Sequence, residues 1–181
     1  MPYAATKKTN ELYAQVFADV YGLRLMGFRY FNIFGPRQDP NGPYAAVIPL
    51  FVKGIMNKAP VYINGDGEQT RDFTYVENAV QINVKGMLNE NQEAFGKVYN
   101  VAVGEYYSVN YLYKDCADYL ESDWKPTHRE PRAGDIRNSL ADISLAANLL
   151  GYKPVKRFEE GLKETIAYFK EVYSKPATVS Q

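Results

Sequence analysis

Two residues near the start of the sequence have the types and spacing of an acid–base pair. Tyr3 and Lys7 lie four residues apart in PYAATKKTNELYAQVF, and residues four apart share one face of a helix. A tyrosine has an ordinary pKa of about 10, which is too high for a base at neutral pH. A neighbouring ammonium stabilises the phenolate. The pair could therefore act as general base and activator, or it could simply lie on a solvated helix surface.

The same spacing occurs a second time, at Tyr152 and Lys156. Pro154 lies between these two residues and disfavours a helix, so they would not share a face. The recurrence makes the spacing alone a weak signal of catalysis. The element around Tyr3 and Lys7 must therefore decide whether their positions have chemical meaning.

The segment that carries Tyr3 and Lys7 is predicted to be one long helix, from Tyr3 to about Tyr21. Large apolar residues recur every four positions along two neighbouring rows, which is typical of a helix with a broad buried stripe. Gly22 follows at a position that suits a helix C-cap. The two rows consist of Leu12, Val16 and Val20, and of Tyr13, Phe17 and Tyr21.

The rest of the sequence alternates between strand and helix patterns, which indicates an α/β fold. Strands are predicted at LRLMGFRYF and KVYNVAV, with two short strands around the Gly-Asp-Gly turn of PVYINGDGEQTRDFTYV. Residues 122–139 show little periodicity, and the tail SKPATVSQ is predicted to fray. Further helices are predicted from Val47 to about Lys58, in VENAVQINVKGMLN, in SVNYLYKDCADYLE after a Ser cap, in DISLAANLLGYKP after an Asp142 cap, and in RFEEGLKETIAYFKEVY.

Charge and composition exclude several classes of partner. The 181 residues carry 21 basic and 21 acidic side chains, so nothing in the net charge favours nucleic acid or an anionic membrane. No apolar run reaches the roughly 20 residues of a membrane span, and no signal-peptide pattern is visible. Cys116 is the single cysteine and His128 the single histidine, so neither an internal disulfide nor a metal site is predicted, and His128 is assigned to the surface. A cytoplasmic protein is the expectation.

Five segments follow one another along the chain: PYAATKKTNELYAQVF, RYFNIFGPRQDPNG, INGDGEQTRDFTYVENAV, VYNVAVGEYYSV and EPRAGDIRNSLADISLAANLLGYKP. Together they resemble the extended short-chain dehydrogenase/reductase family, the NAD-dependent epimerases and dehydratases of nucleotide sugars. The resemblance extends from Pro2 to about Tyr168. Within the family the chain is most similar to UDP-N-acetylglucosamine 4-epimerases, through NGPYAAVIP, VYINGDG and AGDIRNS.

The resemblance implies that the chain corresponds to the C-terminal half of such an enzyme. In the family Tyr-x-x-x-Lys lies near the middle of the chain, after the glycine-rich NAD-binding turn, and no GxGxxG pattern occurs in this sequence. The implied fold is the C-terminal part of a Rossmann-like extended fold, with its last parallel strands and a substrate-binding lobe. Residues 1–35 would end the NAD-binding domain, and residues 36–181 would form mainly the UDP-sugar lobe, with a returning strand and helix around 72–103.

The resemblance also implies the chemistry, which is inversion at C4 by transient oxidation to a 4-keto sugar with NAD as cofactor. Tyr3 would take the proton from the 4-hydroxyl, and Lys7 would stabilise the phenolate and bind the nicotinamide ribose. Tyr30 would lie near the nicotinamide. The implied substrates are UDP-GlcNAc and UDP-GalNAc, with UDP-glucose and UDP-galactose as slower ones. Without the preceding half, the chain is expected to be inactive and not to bind NAD.

The remaining site residues are assigned by the resemblance to a UDP-sugar pocket. Asn32 would meet the pyrophosphate, and Arg71 and Arg132 would clamp the diphosphate, because guanidinium groups match phosphate oxygens. Asp135 would bind the uridine ribose. Ser139 would leave room for an N-acetyl group at the 2-position of the sugar. The residues expected near the uracil and the rest of the nucleotide are Ala46, Val47, Phe51, Tyr62 and Asn64.

Other interpretations remain open from the residues alone. Asn32, Tyr62 and Asn64 could be loop and strand residues satisfied by the backbone, and Arg71 and Arg132 could be solvated surface charges. The chain could instead belong to a nucleotide-sugar dehydratase or decarboxylase. It could also be a non-catalytic lobe that binds UDP-sugar or dimerises. Because the family builds a four-helix bundle across a dimer with the helix that carries the tyrosine, a homodimer is expected.

Overall fold

The computed structural model describes residues 2–40 and 47–174, in which helices and strands alternate as the α/β prediction requires. Helices form over α1 (Pro2–Tyr21), α2 (Val47–Met56), α3 (Val76–Met87), α4 (Val109–Tyr119), α5 (Ser144–Leu150) and α6 (Phe158–Ser174). Strands form over β1 (Met26–Tyr30), β2 (Ile33–Phe34), β3 (Tyr62–Asn64), β4 (Thr70–Arg71), β5 (Thr74–Tyr75), β6 (Lys97–Val101), β7 (Tyr107–Ser108) and β8 (Thr127–Arg129). None of the helices in these two ranges is long and apolar enough to cross a membrane.

The longest strand pair is the parallel pair of β1 and β6, with Met26 opposite Lys97 and Tyr30 opposite Val101. Within the described residues, the other edge of β1 has no strand partner. The helix α3 packs closely on this pair, and a Cβ at Gly86 would lie 2.8 Å from the ring of Phe28. A small core joins β6 to α3 and α5 through buried side chains that include Ile82, Tyr99, Val101, Leu150 and Tyr152.

A second and larger core lies among α2, α4, α6 and the short strands. It is rich in aromatic rings, and Phe158 forms its centre. This ring stacks on Tyr107 with a centroid distance of 4.2 Å and also contacts Phe34 and Phe73. The two strands around Gly65-Asp66-Gly67 lead into this core but do not pair with each other. Instead β3 pairs in parallel with β8, and β4 pairs antiparallel with β7.

The helix α1 forms as predicted, and the apolar stripe that its periodicity marks is exposed rather than buried in the described chain. Glu11, Ala14 and Ala18 form its half-buried face. The two rows of large apolar side chains point away from the strands, so no other described element covers them. Their exposed fractions are 58% for Leu12, 54% for Val16, 66% for Val20, 63% for Tyr13, 45% for Phe17 and 66% for Tyr21.

An ion pair attaches α1 to β1. Arg29 donates from Nε to Glu11 Oε1 at 2.6 Å and from Nη2 to Glu11 Oε2 at 2.8 Å. The hydrogen bond from Arg29, followed by that from Lys8, lowers the pKa of the Glu11 carboxyl to about 2. Glu11 follows Lys7 by four residues and Tyr3 by eight, so the contact fixes the helix face that also carries these two residues.

Several local predictions are confirmed, and a few boundaries differ. Ser108 caps α4, because its side chain accepts a hydrogen bond from the Tyr111 amide at 3.1 Å. Gly151 ends α5 in the left-handed conformation, at φ 59°. The helix cap position of α5 is Ile143, while Asp142 accepts the Ser144 amide at 2.8 Å from one residue earlier. The pair Tyr152 and Lys156 lies outside any helix.

Two further predictions concern the segments around β8 and the C-terminus. The strand β8 lies inside residues 122–139, where the sequence predicted no element, and all three of its residues are exposed. The predicted frayed tail falls mostly on residues 175–181, which lie outside the described residues. His128 is exposed as expected, and its Nδ1 lies 2.8 Å from the Gly65 carbonyl oxygen.

Candidate active site and nucleotide pocket

A cavity of about 320 Å³ opens between the carboxyl end of β1, the start of α2, and the strands β3 and β4. Seven of the residues predicted from the sequence as site residues line it together, although they are spread over more than a hundred positions of the chain. They are Asn32, Val47, Phe51, Tyr62, Asn64, Arg71 and Asp135. The apolar floor of the cavity comes from residues without an earlier prediction, namely Ile33, Phe34, Ile48, Ile63, Phe73 and Val109.

An ion pair between Arg71 and Asp135 lies at one side of the cavity. The same guanidinium donates from Nη1 to the Ile136 carbonyl oxygen at 2.6 Å and to the Thr70 carbonyl oxygen at 2.7 Å. The side chain of Arg71 is 17% exposed and that of Asp135 is 36% exposed, so the cation is largely shielded but still reachable from the cavity. A guanidinium held in this way is suited to two-pronged contact with phosphate oxygens.

Tyr62 and Asn64, two residues apart on β3, also line the cavity. Arg129 supports both, since its guanidinium carbon lies 5.2 Å from the centroid of the Tyr62 ring and its Nε donates to Asn64 Oδ1 at 2.6 Å. No sequence signal singled out Arg129, because it lies in the exposed strand β8 that the periodicity did not predict. The pairing of β8 with β3 brings it here.

Amide side chains fix the loops that close the cavity. Asn32, at φ 35°, donates from Nδ2 to the Asp72 carbonyl oxygen at 2.9 Å. Gln69 donates to the Asn64 carbonyl oxygen at 2.9 Å, and Gln38 donates to the Ile33 carbonyl oxygen at 2.8 Å. Gln38 and Gln69 line the cavity but were not predicted as site residues. Gln38 belongs to the GPRQDP loop, which the sequence marked only as part of a family motif.

The other predicted site residues do not line this cavity. Tyr3 is 57% exposed on α1, with Lys7 Nζ 5.2 Å from the centroid of its ring. Arg132 is exposed and Ser139 is half-buried on the segment that also carries Asp135. Ala46 lies outside the described residues. The structure therefore brings seven of the predicted site residues to one cavity, whereas Tyr3 and Lys7 lie on α1 outside it.

Tyr30 contributes to a second cavity, of about 360 Å³, between the carboxyl end of β1 and α3. Its hydroxyl donates to Asn83 Oδ1 at 3.1 Å and accepts from Asn83 Nδ2 at 2.9 Å. The other lining residues are almost all apolar, and Ile33 belongs to both cavities. The two cavities thus adjoin at the end of β1, the edge of a parallel sheet where ligands commonly bind.

Comparison with known proteins identifies the family. The family model described as the NAD dependent epimerase/dehydratase family matches residues 1–102. The chain belongs to this family. A curated relative in it is the UDP-N-acetyl-alpha-D-glucosaminuronate decarboxylase of Bacillus cytotoxicus, which is 32% identical over 94% of this chain and 53% of its own length.

Two solved structures of epimerases are close to this fold. The UDP-glucose 4-epimerase of Thermotoga maritima, solved with UDP-glucose, has a TM-score of 0.89 and 37% identity over 95% of this chain and 54% of its own. The UDP-N-acetylglucosamine 4-epimerase of Methanobrevibacter ruminantium, solved in complex with UDP-N-acetylmuramic acid, has a TM-score of 0.86 and 44% identity over 94% and 54%. The chain spans about half the length of these epimerase-family relatives, and it adopts the corresponding part of their Rossmann-like fold.

The described residues provide only part of a binding site for NAD, the cofactor of the family. Tyr3 and Lys7 offer an accessible hydroxyl and an ammonium on one helix face, which fit the hydroxyl groups of a ribose. Glu11, on the same helix face, contacts Arg29, which precedes Tyr30 at the carboxyl end of β1. The sequence has no glycine-rich turn that could cradle the cofactor's diphosphate. The described residues therefore fit only the nicotinamide end of NAD and not its diphosphate.

Proposed function

We propose that the chain is the substrate-binding half of an NAD-dependent UDP-hexose 4-epimerase, which inverts C4 of UDP-GlcNAc and UDP-GalNAc and, more slowly, of UDP-glucose and UDP-galactose. The observation that carries the proposal is the cavity itself. It brings together a shielded guanidinium, Arg71, and the aromatic and amide side chains of Tyr62 and Asn64. The 44% identity to an enzyme named as a UDP-N-acetylglucosamine 4-epimerase supports the N-acetylated substrates.

In the proposed complex different residues of the cavity bind different parts of UDP. Arg71 turns from Asp135 to the diphosphate, and Arg132, which is exposed nearby on the same segment as Asp135, forms the second half of the clamp. Asp135, released from the pair, accepts hydrogen bonds from the ribose hydroxyls. Ala46 and Val47 approach the uracil, Phe51, Tyr62 and Asn64 line the rest of the nucleotide pocket, and Asn32 contacts the pyrophosphate. Ser139 leaves room beside the 2-substituent of the hexose.

The residues that carry out the proposed chemistry lie on the helix α1. Tyr3 takes the proton from the 4-hydroxyl of the hexose, and Lys7 on the same helix face stabilises the phenolate by its positive charge. NAD, when bound, supplies the acceptor and donor of hydride. The ion pair of Glu11 with Arg29 holds this helix face against β1, and so keeps the base near the end of the strand that also carries Tyr30.

We further propose that residues 1–35 belong to the NAD-binding domain, that residues 36–181 form mainly the UDP-sugar lobe, and that the segment around 72–103 returns to the Rossmann sheet. The parallel pairing of β1 with β6 supports this division. The chain needs the preceding half of an epimerase to bind NAD and to turn over substrate. That half would add a parallel strand to the free edge of β1. We retain the cytoplasm as the proposed location.

The proposed enzyme is a homodimer that associates through α1. The support is the exposed double row of apolar side chains on this helix, which includes Val16 at 54% and Phe17 at 45% exposure. Contiguous apolar surface of this kind is typical of an interaction site. A partner helix that covers both rows would remove them from water.

The test of the nucleotide pocket is a calorimetric titration of the chain with UDP. UDP should bind, and Arg71→Ala should weaken the binding about tenfold or more, because a charge-assisted contact to phosphate is lost. The matched control is Arg137→Ala. Arg137 forms a two-pronged ion pair with Asp66, at 2.7 and 2.8 Å, but does not line the cavity, so UDP affinity should stay within about twofold. An unmodified chain that binds no UDP, or equal effects of the two changes, would contradict the proposal.

A second activity is decarboxylation or dehydration of a nucleotide sugar, and the decarboxylase relative at 32% identity favours it specifically. Once completed by a preceding half, the enzyme can be incubated separately with UDP-GlcNAc and with UDP-N-acetylglucosaminuronate. The epimerase proposal predicts the C4 epimer from the first and no carbon dioxide from the second. A lobe that binds UDP but remains inactive in every completed complex would instead be a non-catalytic module.

A further inference from the structure

The side chain of Asp72 is fully buried and is held by three backbone amides. Its Oδ1 accepts a hydrogen bond from the Val103 amide at 3.0 Å, and its Oδ2 accepts from the Gly104 amide at 3.0 Å and from the Ala141 amide at 3.5 Å. Asp72 itself lines neither cavity. A buried carboxylate costs free energy unless its oxygens are satisfied, so this arrangement requires an explanation.

Two of the three amides come from consecutive residues in the loop that follows β6. Gly104 has a φ of +80°, a conformation that side chains other than glycine rarely adopt. With the backbone turned in this way, the Val103 and Gly104 amides converge on one carboxylate. Successive amides that converge like this form a concave anion site. The loop after β6 is therefore built around the Asp72 side chain.

The third amide, from Ala141, belongs to the segment 135–141, which brings Asp135 to the cavity. This segment runs beside β4 and is attached to it at several points. The Thr70 amide donates to the Arg137 carbonyl oxygen at 2.9 Å, and Thr70 Oγ1 lies 3.3 Å from Asn138 Oδ1. Asp72 provides the attachment at the C-terminal end of the segment.

We propose that Asp72 is a positioning residue for the nucleotide cavity. Its buried carboxylate ties the loop after β6 and the end of the segment 135–141 to β4, and thereby holds Arg71 and Asp135 in register at the cavity wall. The identity of the ligand in this proposal rests on the function proposed above. The proposal that Asp72 attaches the segment 135–141 to β4 does not rest on that function.

Replacement of Asp72 by asparagine distinguishes a purely structural role from a positioning role. An asparagine has one acceptor oxygen and one amide donor, so its NH₂ group would face a backbone N–H where Asp72 now offers an oxygen. If the asparagine oxygen takes the Oδ1 position, the Gly104 and Ala141 amides both lose their acceptor. If it takes the Oδ2 position, only the Val103 amide does, so Ala141→Pro is the change that releases the segment 135–141 by itself. A purely structural residue would lower stability without changing the cavity of the folded protein, whereas a positioning residue changes both.

Asn78 offers a matched control. It is also fully buried, and it also binds three backbone groups, because its Oδ1 accepts from the Val155 amide at 2.8 Å and the Lys156 amide at 3.1 Å while its Nδ2 donates to the Lys156 carbonyl oxygen at 2.7 Å. These contacts anchor the loop before α6 to α3, and Asn78 lines neither cavity. Asn78→Asp is the reverse chemical change at an equally buried site.

The experiment compares Asp72→Asn, Asn78→Asp and the unmodified chain by three measurements, and Ala141→Pro by the last two. Thermal unfolding should show a Tm lower by about 5 °C in both variants, the effect of one disturbed buried hydrogen bond. Calorimetry with UDP, well below each Tm, should show about tenfold weaker binding for Asp72→Asn and less than twofold for Asn78→Asp. Amide hydrogen exchange should be about tenfold faster in Asp72→Asn at the amides that lose their acceptor, and in the segment 135–140 of Ala141→Pro, but unchanged at both places in Asn78→Asp.

Each outcome decides one proposal. If Asp72→Asn and Ala141→Pro both keep the UDP affinity and the exchange rates of the unmodified chain, Asp72 is not a positioning residue. If the unmodified chain binds no UDP, the proposed function fails, and the exchange rates alone decide the role of Asp72. If Asp72→Asn does not fold, Ala141→Pro removes only the third amide and should still raise exchange in the segment 135–140. Unchanged exchange in that variant would overturn the proposal.

Discussion

The ion pair between Glu11 and Arg29 should determine how firmly the helix α1 is attached to β1, and its contribution should depend on pH. Because the pKa of Glu11 is lowered from an ordinary value of 4.5 to about 2, its stabilising contribution is fully present above pH 4.5 and is lost as the pH falls towards 2. The whole shift would correspond to about 3 kcal/mol. Since the Arg29 side chain is 50% exposed, solvent screening reduces the expected contribution to about 1 kcal/mol.

The perturbation is Glu11→Gln, which keeps the size of the side chain but removes its charge. Urea unfolding followed by circular dichroism should show a loss of about 1 kcal/mol relative to the unmodified chain at pH 7, and a difference near zero at pH 2. The control is Asp118→Asn, which breaks an exposed pair with Lys114 in which both side chains are more than half exposed. Its effect should be smaller than that of Glu11→Gln, because solvent screens this more exposed pair more strongly. A Glu11→Gln loss no larger than the control, or one that persists at pH 2, would refute the reasoning.

Four further outcomes are expected. Calorimetry with NAD should show no binding tighter than about millimolar, and a micromolar constant would contradict the fragment interpretation. Light scattering should show self-association that Val16→Lys reduces; a monodisperse monomer would count against the α1 interface. With a homologous N-terminal half supplied, Tyr3→Phe should lower epimerase turnover about 100-fold or more but leave UDP affinity unchanged, and normal turnover would exclude Tyr3 as the base. In the same complex Ser139→Tyr should impair N-acetylated substrates more than UDP-glucose, and equal losses would remove Ser139 from the 2-substituent.

The elements that the sequence predicts well are those with local signals. The helix α1 follows from its periodicity, and the start of α4 follows from the Ser108 cap, whose hydroxyl accepts the Tyr111 amide. The end of α5 follows from Gly151, which adopts the positive φ that its residue type permits. In each case the interaction that fixes the boundary lies within three or four residues of it, so a short window of sequence contains its cause.

The features that the sequence did not predict depend on partners far along the chain. The strand β8 consists of exposed residues and exists because β3, more than sixty positions earlier, offers it a parallel edge. The two strands beside the Gly-Asp-Gly turn, β3 and β4, do not pair with each other, because β8 and β7 from later in the chain pair with them instead. The periodicity of α1 correctly marks an apolar stripe, but periodicity does not say which surface covers that stripe.

The candidate site also combines residues that the sequence indicates with residues that only the fold reveals. The family motifs indicated seven residues that the structure places around one cavity, but they gave no role to Arg129, Gln38 or Asp72. Arg129 reaches the cavity through the pairing of β8 with β3, and Asp72 acts through amides at positions 103, 104 and 141. A side chain that supports a site through the backbone of distant residues leaves no local pattern, so only the assembled fold reveals it.

The carboxyl end of β1 connects the proposed base to the nucleotide cavity. Arg29 holds α1 through its ion pair with Glu11. The residue after Arg29 is Tyr30, which contacts Asn83 on α3, and Asn32 lines the nucleotide cavity. Successive residues of a strand point to opposite faces of a sheet, so one short strand can serve a helix on one face and α3 on the other. Since C4 inversion needs the tyrosine hydroxyl aligned with a sugar that is held only by its nucleotide, the distance between base and UDP pocket must be fixed by something rigid. A paired strand such as β1 is a rigid spacer of this kind.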